Sequence, residues 1–201
     1  MNDEKFFLYG EKEIEYLCKQ DKELGLAIAK LGMIKRPVHT DHFEALIMSI
    51  VSQQISRKAA DSIWNRLESK FSEVSASNIA NADEYDIHKC GMSLRKASYI
   101  KRVAEAVMNR DINFEEFTSM GDKEIIKKLS SFWGIGVWTA EMFLIFSMCR
   151  MDVVSWGDLA IRRGMMKLYG LKELRKGQFE EYRDRYSPYG SVASLYLWAI
   201  S

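Results

Sequence analysis

The sequence predicts an all-α protein of about ten helices. Apolar residues recur three and four positions apart through most of the chain, the signature of helices that bury one face. No segment shows the strict alternation of a half-buried strand. Only two prolines occur in 201 residues, so the long periodic runs carry almost no helix breakers.

Residues 11–31 form an N-terminal helical segment. Residues 43–54 place Phe43, Leu46, Ile47, Ile50 and Val51 on one stripe, and 57–71 do the same with Ala60, Ile63, Trp64, Leu67 and Phe71. Ser56 stands where an N-cap is needed for the second of these. In 94–109 the stripe is Ala97, Ile100, Val103, Ala104 and Val107, with Ser93 as cap. A further helix starts near Asp122 and runs to about Ser130. Val137–Met148 is apolar nearly all round, which marks a central, buried helix. Asp158 then precedes LAIRRGMMKLYG, a helix ending at Gly170, and residues 191–200 close the chain with another.

Composition narrows the function classes. The chain is 47% hydrophobic and 28% charged, with a net charge of +1. That is a globular balance that by itself points to neither nucleic acid nor membrane. Basic residues are nonetheless clustered after position 90, as Arg95, Lys96, Lys101 and Arg102, and again as Arg162, Arg163 and Lys167. Cys18, Cys90 and Cys149 show no zinc or cluster spacing, and His39 and His42 form an HxxH with no further ligand in view, so no metal site is expected. The N-terminus lacks the basic-then-apolar pattern of a signal peptide, and Val137–Met148 is too short to span a bilayer. A soluble, cytoplasmic protein with free thiols is expected.

The most informative stretch is FWGIGVWTAEMFLIF, residues 132–146. Gly134 and Gly136 interrupt two helical runs, although each glycine weakens a helix by roughly 1 kcal/mol relative to alanine. Two readings fit. The turn can simply pack two core helices, with Ile135 plugged into the core and Ala140 allowing close approach. Alternatively, its bare amides and the following helix N-terminus can receive a phosphate oxygen. Asp158 is similarly ambiguous, since aspartate before an apolar-periodic helix is a common cap.

Four stretches taken together resemble the helix-hairpin-helix DNA glycosylase superfamily, whose hairpin is followed by a Gly/Pro-rich loop ending in a catalytic aspartate. They are FEALIMSIVSQQISRKAA (43–60), GMSLRKASYI (91–100), FWGIGVWTAEMFLIF with WGDLAIRRG (132–164), and YSPYGSVASLYLW (186–198). The subfamily they are most similar to is the DNA-3-methyladenine glycosylase II type. Two departures stand out. Trp133 occupies the usual place of a proline, and Trp156-Gly157 replaces a more proline-rich loop.

The resemblance implies a two-lobed fold, with 41–152 as the hairpin lobe, 1–40 plus 153–201 as the second lobe, and DNA and the base pocket at the cleft. It makes Asp158 the catalytic residue. Gly134, Ile135, Gly136 and Thr139 become the DNA-binding hairpin, and Leu94 the wedge that fills the gap left by an extruded nucleotide, its alternative being an ordinary buried leucine. Trp138, Trp198 and Met142 would line the base pocket, where an indole face attracts a cationic alkylated purine by ~0.5–2 kcal/mol, the alternative for both tryptophans being that of core anchors. Gln53, Gln54, Ser56, Arg95, Lys96, Arg162 and Arg163 would contact the duplex and its phosphates, although Gln53, Gln54 and Ser56 could equally cap helices. Relatives that also cut the backbone carry a lysine at the position of Trp138, and a tryptophan forms no Schiff base.

The expectation is therefore a monofunctional base-excision glycosylase for alkylated purines, leaving an abasic site. Its partner would be double-stranded DNA with a damaged base. It would be a monomer associated with the nucleoid, with no cofactor and no iron–sulfur cluster, though hairpin carbonyls could hold a monovalent cation. The alternatives are the same scaffold acting on an oxidised or mismatched base, and a non-enzymatic hairpin module that only grips DNA.

Overall fold

The computed structural model describes residues 5–201. In chain order its helices are α1 (Glu11–Gln20), α2 (Lys22–Leu31), α3 (His42–Val51), α4 (Arg57–Phe71) and α5 (Ala76–Asn81). These are followed by α6 (Glu84–His88), α7 (Leu94–Met108), α8 (Phe114–Phe117), α9 (Asp122–Leu129) and α10 (Val137–Phe146). The last three are α11 (Leu159–Leu168), α12 (Lys176–Tyr186) and α13 (Gly190–Ile200). The described residues form no sheet, only an isolated bridge between Phe6 and Pro37. The all-α expectation holds, with thirteen helices among the described residues where about ten were expected. Short α5, α6 and α8 make up much of the difference.

The chain divides into two compact units. One is His39–Phe143; the other joins Leu144–Ser201 to the described residues up to Val38. The expected divisions were at 40/41 and 152/153. The second observed division falls inside α10 instead of in the loop before Val153.

In the His39–Phe143 unit, short side chains start the helices. Asp41, Ser56, Ser75, Asp83, Ser93 and Asn113 each accept a backbone N–H in the first turn of α3 to α8 in order. Each such cap is worth about 1 kcal/mol. Helix α7 is the hub against which α3, α5 and α6 pack. Its buried face is Ala97, Ile100, Val103, Ala104 and Ala106, close to the stripe read from the sequence.

Helix α10 buries Thr139, Ala140, Met142, Phe143, Leu144 and Ile145, in keeping with its all-round apolar sequence. It stops at Phe146, before the expected Met148. Cys149 adopts φ +53 and the Arg150 N–H bonds back to the Leu144 carbonyl at 2.9 Å. The left-handed residue lies beyond the helix end, where the returning Arg150 N–H closes a wide turn on the last carbonyls of α10.

In the other unit, the expected 11–31 segment is two helices. Asp21 breaks it and caps α2 through the Leu24 N–H at 2.9 Å. Its second oxygen accepts the Tyr169 hydroxyl at 2.7 Å, which ties that junction to the end of α11. Helix α13 packs against α11 and α2, and residues Gly190 to Leu197 are all buried. The α11–α13 approach is close enough that a Cβ on Gly164 would lie 2.1 Å from the Leu197 carbonyl oxygen.

Candidate functional site

Within the His39–Phe143 unit, the turn between α9 and α10 is tightened by successive short-range bonds. The Ser131, Phe132 and Ile135 N–H groups donate to the Lys128, Leu129 and Phe132 carbonyls. Ile135 is buried, as the core-plug reading requires. The two glycines serve different ends. Gly134 has φ +89, and a Cβ there would sit 2.5 Å from the Tyr99 ring, so packing alone demands glycine. Gly136 caps α10, its carbonyl accepting the Ala140 N–H at 3.0 Å. A Cβ on Gly136 would meet nothing within 4 Å. Nothing inside the protein requires glycine there, which leaves its open side available to an approaching ligand.

Gln53 and Lys96 prove to be internal braces of this turn. Gln53 Nε2 donates to the Gly134 carbonyl at 2.8 Å and to Thr139 Oγ1 at 3.0 Å. The carbonyl fixes the amide orientation, since only the NH2 end can face it. Lys96 Nζ donates to the Val51 carbonyl at 2.8 Å and to the Gln53 carbonyl. It thereby satisfies the end of α3, and burial holds its ammonium below the usual lysine range. The expectation that Gln53 and Lys96 reach a duplex is corrected on this point, because both amide donors of Gln53 go to Gly134 and Thr139 and two of the three ammonium donors of Lys96 go to backbone carbonyls. Thr139 is likewise buried, with its hydroxyl turned to Gln53.

Other expected contacts face solvent. Leu94 is 49% exposed at the first position of α7, which a merely core leucine would not be. Arg95 is exposed, with its guanidinium over the Tyr99 ring at 5.5 Å and Nε donating to the Tyr99 hydroxyl. Tyr99 thus joins Arg95 to Gly134. Gln54 is exposed with φ +58, an uncommon conformation for a side-chain-bearing residue. Ser56 caps α4 at 3.3 Å, which is its helix-end reading. Trp138 is half-buried and Met142 buried on α10.

The second unit carries the acid. The loop before α11 is pinned to the first turn of α13. Ser191 Oγ accepts the Val153 N–H at 3.0 Å, Ser194 Oγ donates to the Val153 carbonyl at 3.0 Å, and the Ser191 N–H bonds to the Met151 carbonyl at 2.9 Å. Asp152 accepts the Ser187 hydroxyl at 2.6 Å. The loop delivers Asp158 to the N-terminus of α11, where it is 8% exposed. Its Oδ1 accepts three donors: the Ala160 and Ile161 N–H groups, both at 2.9 Å, and Trp198 Nε1 at 3.2 Å. Cap and carboxylate site coincide in one residue. Two amides and the helix dipole hold a negative charge there.

Trp198 is half-buried, with its ring 5.2 Å from that of Phe146. The Arg36 guanidinium lies 5.0 Å from the Phe146 centroid and 5.8 Å from that of Trp198. One of the two indoles expected to receive a cationic base thus lies near a cation of the protein itself. Neither Arg36 nor Phe146 was expected here. Arg36 sits in an irregular segment with no periodicity, and no local pattern marks it. Arg162 stacks its guanidinium 5.0 Å from the Trp156 ring, while Arg163 is exposed. Trp156, in place of a loop proline, therefore supports an arginine.

Among the described residues no group of three or more His, Cys, Asp or Glu is placed to hold a metal. Among them, too, no helix is long and apolar enough to cross a membrane. His42 packs instead against Phe114 and Phe143, at 5.7 and 5.8 Å.

Comparison with known proteins adds to this geometry. The family model for HhH-GPD superfamily base excision DNA repair proteins matches residues 47–188. A DNA-3-methyladenine glycosylase 1 from Schizosaccharomyces pombe is 35% identical over 164 residues, spanning 79% of this chain and 72% of that protein. The solved structure of a DNA-3-methyladenine glycosidase from Bacillus halodurans superposes with a TM-score of 0.86 at 34% identity, covering 97% of this chain and 91% of that one. A 3-methyladenine DNA glycosylase from Schizosaccharomyces pombe, solved in complex with abasic DNA, gives 0.84 at 31% identity, covering 93% and 95%.

Proposed function

Because this chain belongs to the HhH-GPD superfamily of base excision DNA repair proteins, we propose that it is a monofunctional DNA glycosylase. It hydrolyses the N-glycosidic bond of alkylated purines in duplex DNA and leaves an abasic site. The observation that carries this is the Asp158 carboxylate, largely buried and fixed by three donors on one oxygen. Breaking the bond builds positive charge on the deoxyribose, and a fixed carboxylate stabilises that charge and orients the attacking water. Preorganisation matters because the carboxylate then needs no rearrangement as the charge develops.

Trp198 gains a second role beside the pocket contact the sequence suggested. Its N–H positions Asp158, and its ring shares Arg36 with Phe146. Trp138, Met142 and Trp198 remain the candidate contacts for the extruded base, and exposed Leu94 the wedge, since an apolar plug offsets part of the cost of unstacking. Gly136 and the start of α10 grip a phosphate, with Arg95, Arg162, Arg163, Gln54 and Ser56 as candidate further contacts. The hairpin carbonyls are the candidate ligands for a monovalent cation beside the gripped phosphate, since a carbonyl that accepts one hydrogen bond keeps a second lone pair. The protein acts as a monomer on chromosomal DNA in the nucleoid.

Duplexes that each carry one modified base test this. Release of 3-methyladenine or 7-methylguanine, with strand scission only after alkali, is expected. Asp158→Asn keeps the size and capping ability of the residue but removes the charge. It should lower the rate at least about a hundredfold, ~2.7 kcal/mol, with little change in melting temperature. Release of oxidised bases alone would move the substrate assignment. Scission without alkali would end the monofunctional one.

A further inference from the structure

The hairpin carries one large side chain that the fold does not use. Trp133 is 69% exposed, whereas the other four tryptophans are half-buried. It lies immediately before Gly134, whose α-carbon is packed on Tyr99 and whose carbonyl is held by Gln53. The indole therefore projects from an anchored turn. Val137, at the start of α10, is 55% exposed, so apolar surface flanks the open Gly136 on both sides along the chain. Leaving a tryptophan in water contributes nothing to the core, and an exposed aromatic beside a binding turn marks a contact surface.

We propose that Trp133 is a second, uncharged DNA contact of the hairpin, and this rests on the proposed phosphate grip by Gly136. The flat ring packs against a deoxyribose of the gripped strand, and its N–H donates to a phosphate oxygen. An indole suits that surface because it offers an apolar face and a single donor together. Neither element reads a base, so the contact is indifferent to sequence and to damage. It also releases no counterion, so its share of the affinity does not depend on salt.

The test measures binding to an undamaged duplex over a range of salt for the wild type, Trp133→Ala, Trp133→Phe and Gly136→Ala. Trp133→Ala should weaken binding about tenfold at every salt concentration, with the salt slope unchanged, and Trp133→Phe should fall between it and the wild type. Melting temperatures should match, since the side chain is exposed. Binding by Trp133→Ala within twofold of wild type would overturn the proposal, as would a changed slope, which would mean the turn itself had moved. Sedimentation without DNA covers the other occupant. A wild type that self-associates where Trp133→Ala does not would assign the indole to a second copy of the chain. Failure of the parent reading looks different, because Gly136→Ala would then bind with wild-type affinity and slope.

Discussion

Trp198→Phe separates the two things that a tryptophan at this position can do. Phenylalanine keeps a ring beside Phe146 and Arg36 but has no donor for Asp158. A hydrogen bond to a charged group is worth about 1.5–3 kcal/mol. Here the bond is long, 3.2 Å, and the same oxygen keeps two amides at 2.9 Å, so the low end of that range applies. The expected loss is about tenfold in single-turnover base release, ~1.4 kcal/mol, with duplex affinity unchanged. The smaller ring also removes buried area, and a melt should show a drop of about 1–2 kcal/mol in stability, small enough to leave the protein folded. The comparison is with Asp158→Asn, whose loss should be at least tenfold larger. If Trp198→Phe releases bases at the wild-type rate, the indole N–H does not position the acid. If it loses affinity and keeps its rate, the ring face is a binding element after all, and the charge-based selection first read from the sequence regains its footing despite Arg36.

Two further predictions concern the scaffold. Gly164→Ala would place a Cβ 2.1 Å from the Leu197 carbonyl oxygen. The clash with backbone outweighs the ~1 kcal/mol that alanine gains in a helix, so a net loss of about 2–3 kcal/mol is expected in denaturant unfolding; a variant as stable as wild type would mean α11 and α13 are not in such close contact. His42 is pushed below the usual histidine value of 6.5, chiefly by burial. The unfolded chain then binds the proton more readily, so the stability tied to a neutral His42 is present above 6.5 and lost as pH falls through the folded value. The melting temperature of His42→Leu should decline less than that of the wild type between about pH 7 and pH 5, and equal declines would remove His42 from the acid response.

The parts legible in the sequence were those with a local signature. The stripes of α4 and α7 and the serines that cap them follow from helical spacing, and the hairpin follows from two glycines among apolar residues. Why each glycine is there was not legible. Gly134 is fixed by Tyr99, thirty-five residues earlier in the chain, and such a contact leaves no trace in the local pattern. Helix α12 escaped for a different reason. Its sequence, KGQFEEYRDRY, buries only Phe179 and Tyr186, too few apolar positions to reveal a period. Gln53 and Lys96 looked like surface polar residues because sequence alone cannot show that a donor is aimed at a carbonyl. Arg36 belongs to the same class, a charge seated against aromatic rings distant in sequence.

The way the 151–158 loop is fastened bears on how the acid tolerates change. Connecting segments usually accept insertions and deletions, since few contacts constrain their length. This one is tied at its beginning to Ser191 and Ser194, and at its end, through Asp158, to Trp198 of the same helix. Helix α13 therefore gauges the span between Val153 and the carboxylate, and adding or removing a residue there would break one fastening or the other. The loop should have the length tolerance of a helix interior, with single-residue insertions or deletions between Val153 and Asp158 expected to abolish base release where side-chain changes at fixed length do not.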